Sequence, residues 1–361
     1  MRGPFLIFVP TTPSYTARLM PLPPQAESRS ALSRRLFKYA PFMTWALWFY
    51  VAWILLVRLT DSWQAVLDHW RIALVMVAGS YFAGSTPVGG GSIAFPILVL
   101  IFGESPSVGR GFAFCIQALG MTSAAIFIFC RRKPIAWGPF WYALAASTLA
   151  CPLTLIYLAP LVSELTVKLI FACIWGGFGI LILHRLTDLL ASQRIPERSA
   201  ALDPAAGLMI GLLGGLSAGL TGVGTDMIAF TALVLLYRAD LRIAIPTALI
   251  LMAWNSLLGT LTSAFLGTLH APEFHYWLAA APIVVLGAPF GAFCVHFVPR
   301  KVNLLLISII CIIQLIYILY RVAASSPSGL DWKVIALVAG ALLAMNILFQ
   351  VLYTLGRRAN P

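Results

Sequence analysis

Residues 84–100, GSTPVGGGSIAFPILVL, return 135 residues later as GLTGVGTDMIAFTALVL (219–235), with ten of 17 positions identical. An internal repeat fixes architecture before any single residue is read. Each copy sits in a 33-residue apolar stretch, 71–103 and 205–237. As one helix such a stretch would reach about 50 Å, against a bilayer core of about 30 Å. Glycine breaks each stretch near its middle. Two half-helices that meet at depth and return to the side they came from fit both facts. Non-helical backbone at that depth is tolerated only inside protein or beside a cavity.

The remaining chain agrees with a membrane class, being 60% apolar and only 10% charged, where soluble domains carry roughly 25% charge. Apolar runs predict full spans near 42–58, 109–130, 137–158, 165–184, 241–267, 274–297, 302–321 and 332–355. The expected fold class is an all-α polytopic membrane protein with about eight full spans plus two broken re-entrant hairpins. Residues 1–41, rich in Pro, Ser and Arg, read as a disordered basic leader in the cytoplasm. Residues 42–361 read as one transmembrane domain. Repeat 1 runs from hairpin 71–103 to about 184, and a cytoplasmic loop covers 185–204. Repeat 2 runs from hairpin 205–237 to about 321, and a C-terminal span follows at 332–355.

Charge tests the hairpins. If both stretches return, the cytoplasm receives the N-terminal arm, Arg131–Arg132–Lys133, the 185–204 loop, Arg238, Arg242, Arg300, Lys301, Arg357 and Arg358, which is 18 of the 24 basic residues. Arg58, Arg71, Arg110, Lys168, Arg321 and Lys333 stay outside. If each stretch crossed once instead, the Arg131 cluster and the 185–204 loop would fall outside, against the positive-inside bias. Three full spans separate the hairpins, so they enter from opposite faces and the repeats have inverted topology, an arrangement suited to alternating access. Both termini are then cytoplasmic. The net charge of +12 is a topology signal scattered over short loops, with some attraction to anionic lipid and no nucleic-acid footprint.

The first break reads Ser85-Thr86-Pro87-Val88-Gly89-Gly90-Gly91-Ser92 and the second Thr221-Gly222-Val223-Gly224-Thr225-Asp226. Glycine lets a ligand approach the backbone, and Pro87 stops a helix running through. Ser92 is placed to cap a half-helix beginning near Ile93. Each half-helix start offers unpaired N–H groups and a positive dipole end, suited to an anion. The candidate substrate-binding residues are Ser85, Thr86, Gly89, Gly90, Gly91, Ser92, Thr221, Gly222, Gly224 and Thr225, with Gln117 and Asn255 in the spans that follow. The bland alternative for the glycines is tight helix packing. Gln117 and Asn255 either line the pathway or make interhelical hydrogen bonds. Asp226, the one acid placed deep in the membrane, is an N-cap for a helix starting at Met227, a proton-coupling group, or both.

Other chemistry is sparse. The cysteines Cys115, Cys130, Cys151, Cys173, Cys294 and Cys311 make no CxxC pair and read as small packing residues, with no metal site. The histidines, His69, His184, His270, His275 and His296, fall at span ends. Trp45, Trp48, Trp137, Trp141, Trp277 and Trp332 read as an interfacial belt. No G-x-x-x-x-G-K-[ST] phosphate loop occurs, and no cofactor is expected.

With these residues in hand, the chain resembles the sulfite exporter TauE/SafE family of bacterial inner-membrane permeases over most of 71–321. The resemblance rests on Val88-Gly89-Gly90-Gly91-Ser92-Ile93-Ala94-Phe95-Pro96, its second copy, and Asn255-Ser256-Leu257-Leu258-Gly259. The second copy departs from the family pattern at Thr225-Asp226 and at Thr231. The resemblance implies export of sulfite, sulfonates or related sulfur-containing or organic anions. The partners expected are a small anionic substrate and the lipid bilayer, with a homo-oligomer allowed. An anion channel or a non-transporting membrane subunit is the alternative function; an enzyme would need more than one isolated acid at depth.

Overall fold

The computed structural model describes residues 24–191, 194–196, 199–269, 271–294, 297–324 and 332–359. Residues 1–23 of the expected leader, part of the 185–204 loop, His270 and His296 lie outside the described residues. Helix α1 (Pro24–Leu59) takes in residues 24–41, which the composition had assigned to the leader. The segment ALSRRLFKY is rich in Ala, Leu, Arg and Lys, all strong helix formers, and these outweigh the nearby proline.

The chain continues through α2 (Trp63–Asp68), α3 (Trp70–Ser85), α4 (Gly91–Pro96) and α5 (Pro106–Cys130). Next come α6 (Trp137–Leu153), α7 (Glu164–His184), α8 (Leu186–Ala191), α9 (Leu202–Thr221) and α10 (Thr225–Leu236). It closes with α11 (Leu241–Phe265), α12 (Ala271–Cys294), α13 (Arg300–Ala324) and α14 (Trp332–Ala359). Two helices widen into π turns, α4 at Ile97–Ile101 and α6 at Thr154–Leu158. Each turn follows a proline, Pro96 or Pro152, which supplies no N–H to the ladder. The second repeat has Thr231 where the first has Pro96, and α10 runs through that position as regular helix.

Among the described residues nine helices are long and apolar enough to cross a bilayer. Eight answer to the expected spans. The ninth is α9, whose 20 residues reach about 30 Å, a full crossing length where a half-helix was expected. It starts at Leu202, three residues before the apolar stretch, and leaves only 12 residues to α10.

Packing pairs the halves reciprocally. Helix α3 lies against α12 as its repeat partner α9 lies against α6; α4 lies against α5 as α10 lies against α11; α5 pairs with α11 and α7 with α13. Small residues set the close approaches. Gly207, Gly211, Gly215 and Gly219, four apart on α9, face Pro139–Thr154 of α6, so glycine allows tight helix packing along this arm. The repeated phenylalanines meet α7: Phe95 stacks on Phe171 at 4.8 Å, and Phe230 meets Phe178 edge-on at 5.9 Å.

The two ends of each broken stretch come close together. The Tyr237 hydroxyl, just past α10, donates to Asp203 Oδ1 in the first turn of α9 (2.8 Å). Asp240 N, in the next loop, donates to Arg194 O (2.9 Å). Both ends of the first stretch instead reach Tyr276 near the start of α12: His69 by ring contact at 4.9 Å and Glu104 by accepting from the Tyr276 hydroxyl at 2.6 Å.

Candidate functional site

Threonine holds each break open in the same way. Thr86 Oγ1 donates to Phe82 O (2.7 Å) and reaches Val88 O (3.2 Å). Thr221 Oγ1 bonds Ser217 O (2.9 Å) and Val223 O (3.1 Å), the repeat-equivalent carbonyls. Both hydroxyls are therefore engaged inside their own breaks. Thr225 is also tied down, with Oγ1 donating to Gly214 O of α9 (2.8 Å). Its repeat partner Gly90 rests on Gly79, the counterpart of Gly214.

The helix starts differ from those expected. Helix α4 begins at Gly91 with Gly90 at its N-cap and no side-chain cap, so Ser92 lies inside the first turn and its Oγ has no hydrogen-bond partner. Helix α10 begins at Thr225 with Gly224 as N-cap, so Asp226 is the second residue of the helix rather than the cap. Its Oδ1 accepts from Met227 N at 3.0 Å, close to the positive end of the helix dipole. Only the second break uses glycine for backbone freedom: Gly222 has φ +81° and Gly224 φ +105°, values that strain any other residue. The first-break glycines serve close approach instead.

That approach joins the two breaks. A methyl group on Gly89 would stand 2.6 Å from Asp226 Oδ2 and 2.8 Å from Met121 Cε. One on Gly91 would stand 2.6 Å from Val223 Cγ1 and 2.7 Å from Gln117 Cδ. Gln117, on α5, is wedged between them. Its Nε2 donates to Gly222 O (3.0 Å) and Ala113 O (3.1 Å), while Oε1 faces Gly89 without a hydrogen bond. Asp226 Oδ2 is likewise buried and without a hydrogen bond. Gly89, Gly91, Gln117, Gly222 and Asp226 thus form one contact. Asn255 does not join it: its Nδ2 donates to Leu251 O of its own helix, its backbone carbonyl accepts from the Cys151 thiol, and its Oδ1 has no hydrogen-bond partner.

Three side chains unmarked by the repeat also address the breaks. Asn303 Nδ2 donates to Ser85 O and Gln314 Nε2 to Ser92 O, both at 3.0 Å and both from α13. Trp175 is fully buried, and its ring edge faces Gly224. The 3.6-residue spacing that puts Asn303 and Gln314 on one face of α13, in an otherwise apolar helix, was the available signal.

Space at the contact is minimal. A void of about 10 Å³ touches Gly90 and Gln117, room for about one water. A larger cavity of about 270 Å³ reaches Ser85 and Pro87 of the first break and is also lined by Lys133, Arg242, Arg300 and Asn303. Burial, then the nearby charges of Arg131 and Arg242, lower the Lys133 pKa from its usual value.

A multi-pass helical membrane protein whose interior is organised around two broken helices is the class these elements define. The chain belongs to the sulfite exporter TauE/SafE family, whose model matches residues 72–318, from α3 into α13. Its members are membrane transporters rather than enzymes, and the family implies export of anions, sulfite among them. No curated protein and no solved structure matches the chain.

Proposed function

We propose that the chain exports small anions, sulfite, sulfonates or related sulfur-containing or organic anions, as a secondary carrier whose substrate passes between the two breaks. The observation that carries this reading is Gln117, held between Gly89 and Gly91 of one break and Gly222 O of the other. Around it Asp226 Oδ2, Gln117 Oε1 and Ser92 Oγ are buried polar atoms without hydrogen-bond partners. Buried polar atoms cost free energy unless something satisfies them. A substrate that parts the breaks would meet the hydroxyl, the glutamine amide and the first-turn N–H groups of α4 and α10.

Topology supports alternating access. The contacts at Tyr276 and at Asp203–Tyr237 favour two re-entrant hairpins, with α5, α6 and α7 between them placing those hairpins on opposite faces. The reciprocal pairing of helices favours inverted repeats around the site. Lys133, Arg242 and Arg300 share one cavity, which agrees with these basic loops lying together at the cytoplasmic end of an inner-membrane protein with cytoplasmic termini. Thr86, Thr221 and Thr225 take structural parts in this scheme, and Asn255 a peripheral one. The near-absence of space between the breaks favours a carrier that must move over an open channel.

Anion export is downhill. With the interior negative by about 100 mV, each negative charge leaving gains about 2.3 kcal/mol. Asp226 is the group through which a proton would be coupled: ionised it repels an anion, protonated it donates to one. The test is flux of sulfite, thiosulfate and methanesulfonate in inverted vesicles, wild type against Gln117→Leu. Saturable wild-type flux that Gln117→Leu loses supports the carrier; equal flux in both removes the site from between the breaks.

A further inference from the structure

We propose that the 270 Å³ cavity is a separate anion-receiving subsite that collects substrate at the basic end and delivers it to the first break. This rests on the anion-carrier reading above. Four segments distant in sequence build it: Lys133 from the α5–α6 loop, Arg242 from α11, Arg300 and Asn303 from α13, and Ser85 and Pro87 from the first break. Asp240 pairs with Arg300 at 3.3 Å, and among the described residues the cavity lining carries three cations and no carboxylate. Lys133, Arg242 and Arg300 share one cavity wall, and burial first, then the charges of Arg131 and Arg242, disfavour the charged state of Lys133. Cations brought together at this cost are relieved by a bound anion.

The inner end carries the second, independent sign of a ligand. Ser85 is fully buried and its Oγ has no hydrogen-bond partner. Asn303 is 5% exposed, donates its Nδ2 to Ser85 O, and leaves Oδ1 without a partner. A hydroxyl donor thus waits at the floor, and cations stand at the rim. The ligand class this fits is a small oxyanion or sulfonate. Its charge is drawn in at the rim, and an oxygen accepts from Ser85 at the floor. Pro87, next to that floor, belongs to the break that must move for substrate to pass. The rim cations set the rate and salt dependence of capture, whereas the break contact sets turnover.

The experiment measures two quantities on purified protein, methanesulfonate flux in proteoliposomes and methanesulfonate binding by calorimetry. The variants are Arg242→Gln, Arg242→Lys, Ser85→Ala and, as a control from the same loop as Lys133, Arg132→Gln, which does not line the cavity. Removing one rim cation is expected to raise KM about fivefold with little change in maximal rate and to flatten its salt dependence. Arg242→Lys restores both, Ser85→Ala weakens binding, and Arg132→Gln changes neither. Wild-type flux with KM unaltered in Arg242→Gln and Ser85→Ala overturns the subsite and leaves the carrier standing. Charge-dependent binding with no flux overturns the carrier and keeps the subsite; neither binding nor flux overturns both.

Discussion

Replacing Gly89 by alanine adds one methyl group at the point where the two breaks touch. That methyl would lie 2.6 Å from Asp226 Oδ2 and 2.8 Å from Met121 Cε, and against Gln117 Oε1 as well. Ordinary contacts begin near 3.4 Å, so the breaks must separate by most of an ångström or the side chains must leave their positions. Overpacking of this kind costs about 1–3 kcal/mol. At tenfold per 1.4 kcal/mol, the closed conformer loses about five- to hundredfold in population relative to conformers with the breaks parted. A carrier that must pass through the closed conformer on every cycle slows accordingly. The assay is methanesulfonate flux in proteoliposomes, with protein amount and orientation matched, alongside Gly340→Ala. Gly340 has open space around it on α14, so that exchange leaves flux unchanged and raises helix stability by up to about 1 kcal/mol. Wild-type flux in Gly89→Ala would refute the claim that the touching breaks are a working state of the cycle.

The matched threonines give a paired prediction: Thr86→Val and Thr221→Val each lose the hydroxyl's hydrogen bonds within the break and destabilise by about 1–3 kcal/mol, read as similar drops in thermal unfolding temperature, with KM unchanged. A rise in KM without loss of stability would make them substrate ligands instead. Asp226→Asn keeps the shape of the contact but fixes the charge at zero, and is expected to alter the pH dependence of flux; a profile equal to wild type ends the proton-coupling idea. The lowered pKa of Lys133 means that the folded protein loses this rim charge at a lower pH than an ordinary lysine would. As pH rises through that range KM for a sulfonate, whose own charge is constant, should rise. In Lys133→Arg, which stays charged, the alkaline rise should vanish; persistence of the rise would place its cause elsewhere.

The candidate site is legible in the sequence in part, and the division follows the physics. The repeated glycine breaks stood out because two copies of an unusual pattern in an apolar chain are easily read, and Gln117 because a lone amide among apolar neighbours needs a partner. Basic-loop counting grouped Lys133, Arg242 and Arg300 on one side, yet their convergence on one cavity needed the helices in place. The threonine roles were not legible, since a hydroxyl that binds substrate and one that staples its own backbone look alike in sequence. The helix starts at Gly91 and Thr225 differ from expectation for a related reason: the sequence suggests side-chain caps, and neither start has one. The length of α9 was missed because hydropathy ignores Asp203, which Tyr237 satisfies. Asn255 is only near-matched to Gln117 in the repeat, and a displacement of three residues moves a side chain about 4.5 Å along the helix.

Cysteine accessibility in sealed vesicles of known orientation addresses the opposed hairpins directly. Single cysteines at Asp68 and Ser105 flank the first broken stretch, and others at Ser199 and Arg238 flank the second, in a background lacking the native six. An impermeant thiol reagent should label 68 and 105 from one face only and 199 and 238 from the other face only. Labelling of 199 and 238 from opposite faces would make α9 and α10 a single crossing, and the pocket between two returning helices would not exist.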